Sequence, residues 1–398
     1  MACIAGALGI IVLPASMSRS AWAAFALALA LWSLSRAKFR NFIKARKLLL
    51  ALAAAAAVIV AAGAFSLKRD SALGRFHIWG MELRAIADSP LVGHGSSYAM
   101  GSYGDAQAEY FESGQRSPER EKIAGCPEYA FNEYLHIGMD FGVPAMLAFA
   151  VLLVFGIMVL IRNNSALAWG LVTWATFAFA SYPLSVWQMC LLPAVMLGAA
   201  VGSVLKNAGK RLKVIIMSTA VIVSIAGISV WLPDAFRKRD AEKKWHDALK
   251  MASFGMEDGL ENRLAPLYPE IKHNYRYLYD YGYALHKSGQ YEESNDILRE
   301  GAAISSDPMF YNIIGKNFEA MGNFDAAVKC WRHSHFMVPS RLYPYILLME
   351  MYDRRGDVDK AVEYARMILE KPVNERNVAM RELKERAEKY LKKNEWDY

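Results

Sequence analysis

Apolar residues are concentrated in two parts of the chain. Residues 1–66 and 143–232 are dominated by Ala, Leu, Val, Ile, Phe and Trp, whereas residues 67–142 and 233–398 have the mixed composition of water-exposed protein. A helix needs about 20 apolar residues to cross the hydrocarbon core of a bilayer. Because backbone polar groups in lipid must be hydrogen-bonded within the segment, each apolar run predicts a helix. The runs are residues 1–15, 20–35, 48–66, 143–161, 166–181, 186–205 and 214–232.

This pattern predicts an all-α protein, in which a polytopic bundle of transmembrane helices with a large external loop precedes a helical-repeat solenoid. The first apolar run is short for a complete span, so we expect the reading frame to begin inside a longer protein. The predicted domains are N-terminal transmembrane helices (1–66), the large loop (67–142), C-terminal transmembrane helices (143–232), a linker or degenerate repeat (233–274) and a repeat domain (275–398).

The distribution of charge predicts the orientation in the membrane. The net charge is +7, and much of the excess positive charge lies in short loops between apolar runs. This placement indicates the membrane topology and does not favour nucleic-acid binding. Residues 36–47 contain six basic and no acidic residues, and residues 206–213 contain four basic and none acidic. Both loops are therefore predicted to be cytoplasmic. Counting spans from them places residues 67–142 and everything after Trp231 on the outer side of the membrane.

The C-terminal part of the chain contains an internal repeat. Gly289, Gly322 and Gly356 each stand between two helical patterns, and they are spaced by 33 and 34 residues. A helix–turn–helix unit with a period near 34 residues is typical of tetratricopeptide repeats. Such arrays present a concave surface to a peptide or protein, so we expect a protein partner for residues 275–398.

Candidate chemistry lies in the large loop, because loops on a rigid scaffold carry function. Arg75 and Trp79 are four residues apart and share one face of a predicted helix. The Gly-His-Gly turn around His94 exposes its imidazole at little steric cost. Residues 101–126 are rich in Gly, Ser and charge, and we expect them to form a mobile excursion.

Two further features have both a structural and a functional interpretation. Asn132, His136 and Asp140 follow at four-residue intervals, so they form a polar stripe on a helix that leads into the next span. The stripe is either the solvated face of an amphipathic helix or part of a site. Arg19 stands at the outer boundary of a span, either as an interfacial anchor or as a cation facing an external cleft for an anion.

Four motifs follow one another in the first part of the chain. They are Ser18-Arg19, Arg75-x-x-x-Trp79, Pro90-Leu91-x-Gly93-His94-Gly95 and Asn132-Glu133-Tyr134-Leu135. In order and spacing they resemble the O-antigen ligase and O-antigen polymerase superfamily over about residues 3–160. The resemblance implies a glycosyltransferase that moves a glycan from a polyprenyl diphosphate carrier to a hydroxyl of a lipid, glycan or protein. It also implies that the protein crosses the bacterial inner membrane several times, with the large loop and the repeats in the periplasm. It implies no metal, nucleotide sugar or other cofactor.

The resemblance also implies roles for individual residues. Arg19 and Arg75 would hold the diphosphate, since a guanidinium matches phosphate oxygens bidentately, and Arg84 is a substitute candidate. Where many family members have His-Asn at the head of the returning helix, this chain has Phe131-Asn132. The group that activates the acceptor is then expected among four residues, with the first ranked highest: His94, Glu133, His136 and Asn132.

Two other functional classes remain. A non-catalytic membrane scaffold, which recruits partners through the repeats, is favoured by Phe131. A transporter is disfavoured, because ionisable residues within spans mark transport pathways and the predicted spans contain almost none.

Overall fold

The computed structural model describes residues 18–37, 69–114, 117–206, 208–371 and 377–394. Every regular element within these ranges is a helix, which confirms the predicted all-α class. The chain divides into two compact units. The first unit comprises Met1–Gly93 and Tyr129–Val221, and the second comprises His94–Glu128 and Ile222–Tyr398.

The first unit contains the apolar helices. In chain order they are α1 (Arg19–Ser35), α2 (Arg69–Asp88), α5 (Glu133–Arg162), α6 (Leu167–Ala178) and α7 (Trp187–Leu205). A short 3-10 turn at Pro183–Ser185 separates α6 from α7, between the predicted apolar runs 166–181 and 186–205.

Among the described residues, three helices are long and apolar enough to cross a membrane by length and composition. They coincide with three of the predicted runs. They are Glu133–Arg162, Trp187–Leu205 and Lys210–Ser253, the last of which is α8.

The remaining predicted runs have different outcomes. Residues 20–35 fall within α1, which has 17 residues, and residues 166–181 contain the shorter apolar helix α6. The runs at 1–15 and 48–66 lie outside the described residues.

Helix α5 is kinked at Gly142, which has a φ of 83°. The turn before residue 93 packs against this kink, and the backbone N–H of Val143 donates to the carbonyl of Pro90 at 2.8 Å. Gly93 also has a positive φ, of 69°. A Cβ on either glycine would collide with the opposing backbone. The glycines of the Pro90–Gly95 motif and of Phe141-Gly142 therefore allow two backbone segments to meet.

The second unit is built on three antiparallel helix pairs. Each pair turns at one of the predicted glycines, Gly289, Gly322 and Gly356, with φ between 75° and 81°. This left-handed conformation favours glycine, which explains the period in the sequence. The tetratricopeptide-like repeats are thus confirmed. The pairs are α11 (Tyr275–Lys287) with α12 (Tyr291–Ala303), α13 (Met309–Ala320) with α14 (Phe324–Met337), and α15 (Tyr343–Arg354) with α16 (Val358–Glu370).

Small residues allow the helices of a pair to pack closely. A Cβ on Gly315 would collide with the ring of Trp331, which is fully buried. The indole N–H of Trp331 donates to the carbonyl of Asn312 at 3.1 Å. The array ends with α17 (Val378–Asn394), which packs on α16. Between α8 and α11 lie the short helices α9 (Leu260–Leu264) and α10 (Tyr268–Ile271).

The expected mobile excursion at residues 101–126 is wrong. Residues Ala99–Glu112 form helix α3, and ten of its 14 residues are buried; Pro118–Ile123 form α4. Helix α3 packs on α14 and α12 of the repeats. The physical reason is that Gly101 and Gly104 present no side chain, so α3 approaches the repeat backbone closely. The same glycines made the sequence resemble a loop.

Candidate functional site

The guanidinium of Arg75 lies in the first unit over an aromatic ring. Its Cζ is 5.5 Å from the centre of the Phe131 ring, a distance typical of a cation–π interaction. Burial, and secondarily the charge of Arg19, lower the pKa of Arg75, and Tyr182 opposes this shift. Arg75 stays charged at neutral pH. Its environment is therefore half-buried and already contains a second positive charge.

Arg19 reaches the same region from another helix. Ser18 caps α1, accepting a hydrogen bond from the backbone N–H of Ala21 at 3.3 Å, so that Arg19 is the first residue of the helix. The guanidinium Nη2 of Arg19 donates to Ser71 Oγ on α2 at 3.3 Å. The structure thus brings Arg19 close enough to Arg75 for the two charges to repel. Within the described residues, neither guanidinium forms an ion pair with a carboxylate.

A cluster of aromatic side chains lies next to Arg75. Phe131 and Tyr182 meet edge to face with ring centres 5.2 Å apart, and Tyr129 stacks on Tyr182 at 4.3 Å. Phe131 has a φ of 53°, which is strained for a bulky residue. Strain of this kind persists where the surroundings fix a conformation, often at functional sites.

Glu133 begins α5 two residues after Phe131. Its side chain is almost fully buried, and Oε1 accepts a hydrogen bond from the backbone N–H of Leu184 at 2.5 Å. This bond ties the first turn of α5 to the 3-10 turn that follows Tyr182. Glu133 therefore lies in the same part of the first unit as Phe131 and Tyr182.

Asn132 has a structural role in the helix. Its side-chain oxygen accepts from the backbone N–H groups of Tyr134 at 3.0 Å and Leu135 at 3.2 Å. These bonds satisfy two N–H groups of the first turn, as an N-cap does. The side-chain oxygen is thus engaged by its own helix.

His136 lies one turn further along α5. Its Nε2 is 3.5 Å from Oδ2 of Asp140, which is buried. The predicted polar stripe is therefore a histidine–carboxylate pair in the structure. Such a pair holds the imidazole in one orientation.

The two remaining candidates are Arg84 and His94. Arg84 is nine residues after Arg75 on α2, which is two and a half turns, so it projects from the opposite face and is exposed. His94 is half-buried and is the first residue of the second unit.

Glu82 is a feature that the sequence interpretation missed. It shares the α2 face of Arg75 and Trp79, is fully buried, and neither carboxylate oxygen has a hydrogen-bond partner among the described residues. The indole N–H of Trp79 also lacks one. Burial raises the pKa of Glu82 well above its usual value, which favours the neutral acid. The only indication in the sequence is the spacing that puts Glu82 on the helix face of Arg75 and Trp79. An acidic residue in a loop helix is normally solvated, so burial of Glu82 was not expected.

Among the ranges that the structure describes, no group of three or more His, Cys, Asp or Glu side chains is arranged to hold a metal ion.

Solved structures with similar folds are found for part of the chain. One is a crystal structure of MamA, with 16% identity and a TM-score of 0.30, covering 40% of this chain and 81% of that one. A second MamA structure has 20% identity and a TM-score of 0.30, covering 40% and 92%. The type III secretion translocator chaperone SycD from Yersinia enterocolitica has 20% identity and a TM-score of 0.28, covering 32% and 96%.

Sequence comparisons give a match in the N-terminal part of the chain. No curated protein matches the chain. A family model described as O-antigen ligase matches residues 4–150, a range that includes Arg19, Arg75 and Glu133. Residues 4–150 of this chain are therefore similar to an O-antigen ligase domain.

Proposed function

We propose that this protein is a membrane glycosyltransferase that moves a glycan from a polyprenyl diphosphate carrier to a hydroxyl acceptor. The reaction would be of the O-antigen ligase, O-antigen polymerase or O-oligosaccharyltransferase type. The observation that carries the proposal is the pair of guanidinium groups of Arg19 and Arg75, which lie close together without a carboxylate partner in the described part of the chain. Binding an anion between them relieves their repulsion.

The chemistry of the donor explains why two cations are needed. The acceptor oxygen attacks the anomeric carbon of the glycan, and the bond from that carbon to the phosphate oxygen breaks. The electron pair stays on the diphosphate, which leaves with the carrier lipid. Fixed cations stabilise this developing charge, and an arginine contacts two phosphate oxygens at once. In this account Arg19 and Arg75 bind the donor and stabilise the leaving group.

The acceptor hydroxyl must lose its proton during the attack. We assign this step to Glu133, because it follows Phe131, which contacts Arg75, by two residues and its carboxylate binds the turn after Tyr182. A base positioned in this way contributes about 100- to 10,000-fold to the rate. His94 and His136 are the alternatives that the sequence offers. Asn132 would act indirectly, by holding the head of α5.

The periplasmic orientation that we propose rests on two observations taken together. Helix α3 of the large loop packs on the repeats within one unit, so loop and repeats lie on the same side of a membrane. The basic loop at residues 206–213 favours the cytoplasm, and the apolar segment of α8 separates it from the repeats. Both observations support a periplasmic location for the loop and for the C-terminal domain.

A non-catalytic scaffold is the second candidate. It is favoured by Phe131, which stands where many family members have histidine. In that case the repeats would recruit a partner, and the Arg19–Arg75 pair would have no catalytic role.

The test is glycan transfer in cells that lack the native gene. Arg75→Ala should abolish transfer while the protein remains folded in the membrane, because the leaving group loses a cation. Arg84→Ala is the matched control, since it removes the same charge from the opposite face of α2, and transfer should be unchanged. Normal glycan profiles with Arg75→Ala would overturn the proposal and favour the scaffold.

A further inference from the structure

Four consecutive residues of the large loop, Gly125–Glu128, each accept a hydrogen bond from elsewhere in the second unit. We call this segment the strap. The side-chain amide of Gln107 on α3 donates to the carbonyl of Gly125 at 2.9 Å. The hydroxyl of Ser306, which is buried, donates to the carbonyl of Pro127 at 2.8 Å. Two backbone carbonyls of the strap are thus held by side chains around it.

The other two strap residues are held through their side chains. Arg341 donates to the thiol of Cys126 at 3.1 Å. Glu128 accepts a hydrogen bond from the hydroxyl of Tyr275 at 2.8 Å and forms an ion pair with Arg276. The hydrogen bonds from Tyr275 and Arg276 lower the pKa of Glu128, so its carboxylate is charged at neutral pH. Although the strap contains no helix or strand, every residue in it is held.

The anchors on the repeats occupy similar places in the array. Tyr275 and Arg276 are the first two residues of α11. Ser306 lies three residues before α13, and Arg341 lies two residues before α15. Each place is the start of a repeat, and the starts of stacked repeats follow one another along one edge. Since each repeat packs on its neighbours, the spacing of these anchors is fixed and the strap has a rigid support.

The strap leads directly into the residues around Arg75. Tyr129, which follows the strap, stacks on Tyr182 at 4.3 Å, and the ring centre of Phe131 lies 5.5 Å from the guanidinium carbon of Arg75. Phe131 is three residues after Glu128, a reach of at most about 11 Å. Its φ of 53° is strained and persists only where the surroundings fix it. A fixed Glu128 removes conformational freedom that would let Phe131 relax.

We propose that the repeat domain positions the donor site through the strap. Tyr275, Arg276 and Ser306 hold the strap. The strap fixes Phe131, and the ring of Phe131 orients Arg75. The three anchors are positioning residues, because they act through the strap and do not touch the donor. The identity of the ligand in this inference rests on the proposed function, whereas the hold on Phe131 does not.

The test variant is Arg276→Glu in the full chain, purified in detergent. It places a second carboxylate beside Glu128, so the strap should be repelled from α11. Both side chains of this pair are exposed, so the melting temperature should change little. Amide hydrogen exchange of residues 129–135 should accelerate about two- to fivefold, since the segment loses an anchor. Affinity for a polyprenyl diphosphate should fall about two- to fivefold, because the aromatic face no longer orients Arg75.

A charge reversal distinguishes loss of the ion pair from other effects of the substitution. Glu128→Arg/Arg276→Glu restores the pair with its charges exchanged, and both exchange and affinity should return to wild-type values. The matched control is Arg354→Glu, which breaks an ion pair with Glu319 at 2.5 Å between α13 and α15. That pair includes no strap residue, so the control should change neither measurement.

A double-mutant cycle tests whether the strap acts through Phe131. Phe131→Leu removes the ring, so adding Arg276→Glu should cause no further loss of carrier affinity. Additive losses would overturn the inference. So would unchanged exchange or unchanged carrier affinity in Arg276→Glu, or failure of the charge reversal to restore them. If the wild type bound no carrier, the proposed function would be wrong, and exchange of residues 129–135 would still decide whether the repeats hold Phe131.

Discussion

Arg75 lies over the ring of Phe131, with its guanidinium carbon 5.5 Å from the ring centre. The residue that departs from the family pattern is thus in direct contact with a cation of the proposed donor site. An aromatic face stabilises a neighbouring cation by about 0.5–1 kcal/mol at exposed sites and more where water is excluded. We therefore expect Phe131 to orient the arginine.

This contact gives the first prediction. Phe131→Leu removes the aromatic face while keeping an apolar side chain, so affinity for a polyprenyl diphosphate should fall about two- to fivefold. Phe131→Tyr retains the ring and should bind as the wild type does. The measurement is equilibrium binding of the carrier diphosphate to the purified protein. Equal affinity of the leucine and tyrosine variants would show that the ring does not position Arg75.

Glu133 gives the second prediction. Glu133→Gln keeps an oxygen that accepts the hydrogen bond from Leu184 but removes the base. The rate of glycan transfer should fall about 100- to 10,000-fold, with donor affinity and the melting temperature preserved. His94→Ala and His136→Ala, measured in parallel, should retain most of the activity. Undiminished turnover in the glutamine variant would show that Glu133 is not the base. The base would then be whichever histidine, His94 or His136, loses activity on replacement by alanine.

Glu82 gives a prediction on stability and pH. Burial raises its pKa in the folded protein, so the folded state holds a proton that the unfolded state releases above about pH 4.5. Stability from this group is complete below that pH and is lost as the pH rises towards the folded-state pKa. Glu82→Leu should raise the melting temperature at pH 8 and weaken the pH dependence. A leucine variant that melts at a lower temperature than the wild type at pH 8 would contradict the conclusion that Glu82 is buried without a hydrogen-bond partner.

The packing of α3 on the repeats gives the fourth prediction. Gly101→Ala places a methyl group against the backbone of Ala303, and overpacking of this kind costs about 1–3 kcal/mol. Amide hydrogen exchange of residues 99–112 should accelerate in this variant. Glu109→Ala, at an exposed position of the same helix, is the control and should leave exchange unchanged. Unaltered protection in both variants would mean that α3 does not dock as described.

A polar contact in the same interface can be tested separately. The side-chain amide of Gln107 donates to the carbonyls of Gly125 and Met337, and its oxygen accepts from Tyr103. Gln107→Leu removes these three hydrogen bonds, at a cost of about 1–3 kcal/mol. The melting temperature of the full chain should fall accordingly. An unchanged value would show that water replaces the amide.

The local rules of sequence predicted those parts of the fold that depend on one segment. The glycines at 289, 322 and 356 mark the repeat turns because only that residue adopts their conformation easily. The four-residue spacing of Arg75 and Trp79 places them on one helix face. The break at Pro183 follows from the same kind of local rule.

Contacts between distant segments were not predictable in this way. Tyr182 meets Phe131 only because α5 and the turn before α7 pack together, and no local pattern encodes that packing. Helix α3 was misjudged for a related reason. Gly101 and Gly104 favour a loop in isolation, whereas against the repeat backbone they permit a closely packed helix.

The most direct test of the central claim is equilibrium binding of a polyprenyl diphosphate to the purified full chain and to three single variants. Each guanidinium supplies a charge-assisted contact of about 1.5–3 kcal/mol, so Arg19→Ala and Arg75→Ala should each weaken binding at least about tenfold. Arg84→Ala should leave it unchanged. Equal affinities in all four proteins, or an equal loss in Arg84→Ala, would contradict a diphosphate site between Arg19 and Arg75.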